Sequence, residues 1–315
     1  MTVKNFAITG VAGFVAPRHL KAIRDTGNRI IAAVDPHDSV GILDQYFDVR
    51  FFTEIERFDR HLEKLRRGPD ENRVHYLSIC SPNYLHDAHC RLALRVGAKA
   101  ICEKPLVINP WNLDALQELE QEVGEKINTV LQLRVHPKLL KLRETLLREQ
   151  GSHPHEVCLT YITARGAWYH VSWKGSLEKS GGISTNIGIH FFDLLLWLFG
   201  DVLDCRVHLA DTKRLAGFLE LEHARVKWFL SLDAADLPFQ ANAGVCDTFR
   251  SITIDGEEIE FTDGFNDLHS KVYEEILAGR GFGIEEARPS INLAYRIRNV
   301  PISPPDDMVH PFLRK

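Results

Sequence analysis

The first third of the sequence alternates short apolar runs with segments of helical period, and that alternation leaves few folds open. Asn5–Thr9 reads as a strand, followed by Gly10-Val11-Ala12-Gly13-Phe14-Val15-Ala16 and a helix from Pro17 to Asp25 that Gly27 closes. Asn28–Val34 reads as a second strand, ending at Asp35. Thr53 and Glu56 stand at capping-box spacing, and Ile55, Phe58, Leu62 and Leu65 then share one helical face. Val74–Cys80 is a third strand, Leu85–Val96 a helix stopped by Gly97, and the apolar run that follows is another strand, carrying Lys104 and ending at Pro105. Asn109-Pro110 caps a helix whose buried stripe is Leu113, Leu116, Leu119 and Val123, and Ile127–Leu133 is one more strand. A βαβ series of this kind predicts an α/β fold with a doubly wound parallel sheet.

Near Val135 the pattern changes. Pro137 opens an amphipathic helix to Gln150, after which Val157–Thr163, Val202–Leu209, Gly217–Leu221, Val226–Leu232, Phe249–Ile254 and Glu257–Phe261 read as strands. Asp255-Gly256 and Glu222-His223-Ala224 are hairpin turns, and one long apolar helix, Ile183–Phe199, interrupts the strands. The expected organisation is a dinucleotide-binding Rossmann domain at 1–134. An α+β domain with an open, mostly antiparallel sheet follows at 135–315, for substrate binding and oligomerisation.

A chain of 315 residues is long enough for two such domains. Its net charge of −5 argues against a nucleic-acid or anionic-membrane partner. Phe191–Phe199 stops far short of the roughly 18 apolar residues of a membrane span. The N-terminus enters a strand at once, so no leader is expected. The six cysteines show neither CxxC nor metal-ligand spacing, which predicts reduced thiols in a cytoplasmic protein and no metal.

Three stretches carry chemistry. Gly10 and Gly13 lie between the first strand and first helix, where a backbone without side chains can approach a pyrophosphate. Against G-x-G-x-x-G, the second and third glycines are replaced by Ala12 and Val15. Asp35, at the end of the second strand, can bind ribose hydroxyls and repel a 2′-phosphate, which favours NAD over NADP. Lys104, in Glu103-Lys104-Pro105, stands at the carboxyl end of a strand, where ligands bind in open α/β sheets. On the 183–199 helix, Asn186, His190 and Asp193 fall at i, i+4 and i+7, a polar stripe on an otherwise apolar helix that predicts a cavity lining. Between these, Arg165, Trp168, Tyr169, Trp173 and Lys174 interleave cations with aromatics, which suits an anionic ligand with flat surfaces such as a nucleotide sugar. A surface loop pinned by its tryptophans is the alternative.

Together, Gly10-x-x-Gly13, Cys80-Ser81-Pro82-Asn83-x-x-His86, Glu103-Lys104-Pro105 and the Asn186–His190 helix resemble the Gfo/Idh/MocA oxidoreductases over essentially the whole chain. The runs Cys80–Ala88, Gln132–Pro137 and Ser172–Gly175 resemble more narrowly its UDP-N-acetylglucosaminuronate 3-dehydrogenase branch. That resemblance implies NAD-dependent oxidation of the sugar C3 hydroxyl to a ketone in bacterial surface-polysaccharide (O-antigen) synthesis. It also implies a homo-oligomer, a tetramer, and NADH recycling by 2-oxoglutarate as in some relatives.

Carried over by position, it puts Gly10, Gly13, Phe14, Val15, Asp35 and Gln132 on the dinucleotide. Ser81, Asn83 and His86 fall on the nicotinamide side, with Glu103 and Lys104 near the nicotinamide ribose. Lys104 and His190 flank the C3 hydroxyl, and Arg165, Tyr169, Trp173, Lys174 and Asn186 contact substrate. Many relatives acting on free polyols have an aspartate where this chain has Asn186. A neutral amide cannot raise the basicity of His190, so Lys104 is expected to be the base and His190 the hydroxyl-orienting partner. Two alternatives remain open: oxidation of a free sugar or cyclitol, and a non-catalytic dinucleotide sensor.

Overall fold

The computed structural model describes residues 3–148, 153–238, 248–259 and 267–314. Residues 1–135 with 265–288 form one compact unit, and residues 136–264 with 289–315 a second.

The first unit is built on six strands: β1 (Asn5–Thr9), β2 (Arg29–Val34), β3 (Arg50–Phe52), β4 (Tyr76–Ile79), β5 (Lys99–Cys102) and β6 (Ile127–Thr129). They are all parallel, in the order β3-β2-β1-β4-β5-β6. Every residue of β1 and β4 is buried, Asn5, Thr9 and Ser78 included, which is why these strands lack the alternation of a half-exposed strand. The connecting helices are α1 (Ala16–Asp25), α2 (Ile55–Arg66), α3 (His86–Arg95) and α4 (Trp111–Val123).

Two helix starts differ from expectation. The N-cap of α2 is Glu54, in extended conformation and without a side-chain cap bond, so the Thr53/Glu56 capping box is not formed. Pro110, not Asn109, is the N-cap of α4. The buried face of α4 is Leu113, Leu116 and Glu120, with Val123 exposed, and the Glu120 carboxylate accepts the Ile127 N–H. After β6 the chain leaves the sheet, and Gln132–Val135 is a 3-10 turn rather than strand.

The second unit opens with α5 (Pro137–Arg148) and holds β7 (His155–Thr163), β8 (Val202–Ala210), β9 (Arg214–Leu221), β10 (Ala224–Ser231), β11 (Thr248–Ile254) and β12 (Glu257–Glu258). Their order is β12-β11-β7-β10-β9-β8, antiparallel except for the β7–β10 pair. Asp255 and Gly256 turn the β11–β12 hairpin with positive φ of 52° and 87°. Of the expected strand Glu257–Phe261, residues 260 and 261 lie outside the described residues, as does Cys246. Short helices α6 (Ala167–Val171) and α7 (Leu177–Ser180) precede a π-helical turn, Ser184–Gly188, which runs into α8 (Ile189–Phe199).

The helical run Leu177–Phe199 has the length and apolarity of a membrane span, with a mean hydropathy of 1.3, but 67% of it is buried inside the protein. Its burial makes it a core helix. Phe192 packs edge-on to Trp228 of β10, with ring centroids 5.4 Å apart, and Phe191 packs against Tyr161 of β7. A Cβ at Gly188 would meet the Phe192 ring at 2.6 Å and Leu230 at 2.8 Å, so only glycine lets the helix approach the sheet this closely. On the other sheet face, Ile162, Ala216 and Phe229 pack with Phe312 and Leu313. There the C-terminal segment is tied by Ser303 to Val207 and by His310 to Thr160. That face is therefore partly covered by the chain's own tail.

Two helices follow the second sheet, α9 (Leu268–Leu277) and α10 (Ile284–Asn299), and neither is anticipated above. Leu268, Val272, Tyr273 and Ile276 of α9 are buried with Phe6, Ile23, Tyr76 and Ile101. The apolar stripe of α9 thus completes the core of the first unit, a return of the chain that a simple division at 134/135 does not contain.

Candidate functional site

In the first unit the expected residues collect at one edge of the sheet. Gly10 follows β1, Asp35 follows β2, Ser81 lies two residues past β4, and Glu103 and Lys104 follow β5. These are the carboxyl ends of four adjacent strands, and the strand order reverses between β1 and β4, the crevice position of a doubly wound sheet.

Gly10 has φ +74°, and a Cβ there would stand 2.6 Å from the Cys80 and Ser81 backbone. A Cβ at Gly13 would stand 2.9 Å from the Gly10 oxygen. The loop is thus a close-packed backbone cradle leading into α1. Asp35 is 6% exposed; its Oδ2 accepts the Ala12 N–H at 3.0 Å and its Oδ1 the His37 N–H at 2.9 Å. Both carboxylate oxygens are oriented by backbone and keep further lone pairs for hydroxyl donors. The cradle and the fixed carboxylate fit a dinucleotide. Phe14 is 84% exposed, with the Arg18 guanidinium over its ring, and Val15 is the N-cap of α1.

In the Ser81–His86 segment Ser81 and His86 have partners within the protein. The Ser81 hydroxyl bonds His89 Nδ1 at 2.8 Å. His86 is buried, with Nδ1 2.7 Å from the Pro105 carbonyl oxygen and Nε2 2.8 Å from that of Ser81. Both ring nitrogens lie at hydrogen-bond distance from backbone carbonyls, so His86 ties the β4 end to the segment after Lys104. Burial lowers its pKa, and the two carbonyl contacts oppose that shift. Asn83 is buried in the turn before α3, and Gln132 is half-buried in the turn after β6.

Glu103 also turns inward. Its Oε1 accepts from His19 Nε2 at 2.9 Å and from His269 Nε2 at 3.0 Å, while Oε2 accepts the Lys104 backbone N–H at 3.2 Å. Burial alone would raise the pKa of this carboxyl, but the two histidines hold it well below the usual range. Lys104 itself is half-buried at the sheet edge, and its bond to Pro105 is cis. The sequence reading missed His19, His89, His269 and Tyr273. The available signal was His269 and Tyr273 spaced one helical turn apart beside Leu268, Val272 and Ile276.

In the second unit, the π turn carries Asn186 and α8 opens with His190 one residue in. The Asn186 amide donates to the Tyr169 hydroxyl at 2.9 Å, and both residues are buried. Burial raises the Tyr169 pKa, and the Asn186 bond opposes this. Because Asn186 supplies the donor in that pair, the Tyr169 O–H remains able to donate to another group. The Lys174 ammonium sits 5.1 Å from the Trp168 ring centroid and 5.8 Å from that of Trp173. Its pKa is lowered by burial first and then by the Arg165 charge. Arg165, Tyr169, Trp173, Lys174 and Asn186 are therefore a local group of cations, indoles and hydrogen-bonding side chains. His190 is half-buried, and Asp193 is buried.

Family models match both units: residues 4–130 fit "Oxidoreductase family, NAD-binding Rossmann fold" and residues 153–236 the family's C-terminal alpha/beta domain. A dehydrogenase from Thermus thermophilus, WlbA (WbpB), solved with NAD and alpha-ketoglutarate and again with NAD and UDP-GlcNAcA, is 51% identical. The match covers 98% of this chain and 100% of that one, with a TM-score of 0.93. The chain belongs to the Gfo/Idh/MocA oxidoreductase family. The WlbA dehydrogenase from Bordetella pertussis shares the fold, at 19% identity, 98% and 99% coverage and a TM-score of 0.77. Among curated Gfo/Idh/MocA relatives, D-glucoside 3-dehydrogenase of Escherichia coli is 29% identical over 39% of this chain and 35% of its own length. The chain aligns with between 27% and 56% of the length of such curated relatives. Its first unit is the NAD-binding Rossmann domain of this oxidoreductase family.

Proposed function

We propose that the protein uses NAD to oxidise the C3 hydroxyl of UDP-N-acetylglucosaminuronate to the 3-keto sugar, as a step in surface-polysaccharide synthesis in the cytoplasm. The observation that carries this reading is the full-length, 51% identical Thermus thermophilus enzyme bound to NAD and UDP-GlcNAcA. NAD, when bound, supplies the hydride acceptor. In this reading Lys104 takes the hydroxyl proton, and His190 holds the hydroxyl by a hydrogen bond. Arg165 and Lys174 meet the hexuronate carboxylate or the diphosphate, with the Tyr169 O–H as a further donor. Gly10, Gly13 and Asp35 hold the dinucleotide. The same relative was also solved with alpha-ketoglutarate, which supports 2-oxoglutarate as the oxidant that regenerates NAD. Assembly as a homo-oligomer, a tetramer, belongs to the same proposal and is read by light scattering on the eluting protein.

A panel of UDP-sugars with NAD, with and without 2-oxoglutarate, tests the reading. UDP-GlcNAcA should give NADH, and 2-oxoglutarate should turn a single turnover into a sustained one. Turnover of free inositol or glucose, with none of UDP-GlcNAcA, would favour a polyol dehydrogenase.

Asp35 gives a second expectation. Its carboxylate makes charge-assisted bonds to ribose hydroxyls, so Asp35→Ala should weaken NAD binding about 10–100-fold and narrow the gap to NADP. Titration calorimetry with both cofactors measures this. A wild-type preference for NADP would show that the β2 end has been misread.

A further inference from the structure

Behind Lys104 in the first unit lies a buried polar assembly that proton transfer by the lysine does not itself use. Glu103 receives three N–H donors on two oxygens, from His19 of α1, His269 of α9 and the Lys104 backbone. The other His19 nitrogen, Nδ1, lies 2.7 Å from the Tyr273 hydroxyl, which in turn lies 2.7 Å from the Ser78 hydroxyl. With Ser78 donating to Tyr273 and Tyr273 to His19, the chain of bonds is satisfied with His19 neutral and Glu103 ionised. Burial lowers the His19 pKa, in keeping with that state.

The three ligand-type atoms of His19, Glu103 and His269 lie within 4.8 Å of one another. Their N···O separations of 2.9 and 3.0 Å are hydrogen-bond lengths. A tetrahedral ion with bonds of about 2.0–2.1 Å would hold its ligand atoms roughly 3.3 Å apart. The arrangement is a hydrogen-bonded network.

A buried carboxylate is a costly way to join four elements, since apolar side chains of similar volume often do so with no loss of stability. What an apolar group cannot do is accept the Lys104 N–H. Glu103 can reach that N–H only if its other oxygen is held in place, and that oxygen is where both histidines donate. We propose that His19, His269 and Tyr273 are positioning residues for Lys104. They orient Glu103 so that its second oxygen fixes the Lys104 backbone, and with it the direction of the lysine side chain. This inference rests on Lys104 being the proton acceptor. It gives the late segment 265–288 a part in the reaction through α9.

Steady-state kinetics with NAD and UDP-GlcNAcA on five variants test it. Glu103→Gln keeps the shape but has one oxygen, so either the histidines or the Lys104 N–H loses its acceptor. His269→Leu removes one donor, and His269→Gln keeps an amide N–H there. A displacement of about 1 Å at a reacting group can cost about 10²-fold, so Glu103→Gln and His269→Leu should lower kcat by about that factor. KM for the sugar and Kd for NAD should stay within about threefold, because only the positioning of the base changes. His269→Gln should recover most of kcat. Adding Glu103→Gln to Lys104→Ala should cost less than about threefold more, because the positioned group is already gone.

Equal kcat for His269→Leu and His269→Gln would overturn the proposal, as would a lowered melting temperature with unchanged kcat in the folded fraction. A further 10²-fold loss in the Lys104→Ala background would overturn it too. Stoichiometric metal in the purified protein that His269→Leu abolishes would replace the network with a metal site. If Lys104→Ala leaves turnover intact, the base assignment fails and this inference with it. If only the Glu103 and His269 variants are silent, the positioning role alone fails.

Discussion

Lys104→Ala is expected to lower kcat by about 10²–10⁴-fold, the usual worth of a positioned proton acceptor. Hydride leaves C3 readily only if the hydroxyl proton has somewhere to go, and Lys104 stands at the carboxyl edge of the parallel sheet after β5. NAD affinity should change little, since the glycine cradle and Asp35 lie at the ends of β1 and β2. His190→Asn should cost less, because an amide still hydrogen-bonds a hydroxyl. The base must be deprotonated to act, so wild-type turnover should rise with pH through the pKa of the base, and that limb should vanish in Lys104→Ala. If His190→Asn is the more damaging change and removes the limb, the two roles are exchanged.

The second large effect concerns substrate charge. UDP-GlcNAc differs from UDP-GlcNAcA in lacking the carboxylate. Leaving a desolvated cation unpaired costs about 2–5 kcal/mol, so kcat/KM should fall by a factor of roughly 30 to 4,000 for the uncharged sugar. Lys174 is the first candidate for that cation, because burial and the neighbouring Arg165 charge already disfavour its ammonium form, and a carboxylate would relieve both. Lys174→Ala should therefore cut kcat/KM for UDP-GlcNAcA while barely changing that for UDP-GlcNAc. Equal kcat/KM for the two sugars in the wild type would leave Lys174 and Arg165 as parts of a surface loop held by Trp168 and Trp173.

The residues show why some of this was legible in sequence. Strands such as β1 and β4 are buried along their whole length, so short, mainly apolar runs mark them and their carboxyl ends. Gly10, Asp35 and Lys104 follow directly from those ends. Side-chain direction was not legible in the same way. Ser81, His86 and Glu103 sit in motifs that place them near a cofactor, yet each is held by a protein partner: Ser81 by His89, His86 by two backbone carbonyls, Glu103 by His19 and His269. The Glu103 partners come from distant parts of the sequence, and local spacing carries no trace of them. Helix α9 was hidden for the same reason. Its stripe of Leu268, Val272 and Ile276 has ordinary helical spacing, but the surface it covers is Phe6 and Ile101, from the other end of the sequence. At Asn186, the substitution was visible at once. Its consequence, a donated bond to Tyr169, needed the fold.

The proposed function turns on one step, removal of hydride from C3 of UDP-GlcNAcA. It is tested most directly with substrate carrying deuterium at C3, incubated with NAD and followed by mass spectrometry of both sugar and cofactor. The expected products are a 3-keto sugar without the label and NADH that carries it, with the label passing on to 2-hydroxyglutarate when 2-oxoglutarate is present. An oxidised sugar that keeps its C3 deuterium, or labelled substrate recovered unchanged while a free polyol is consumed, would contradict it.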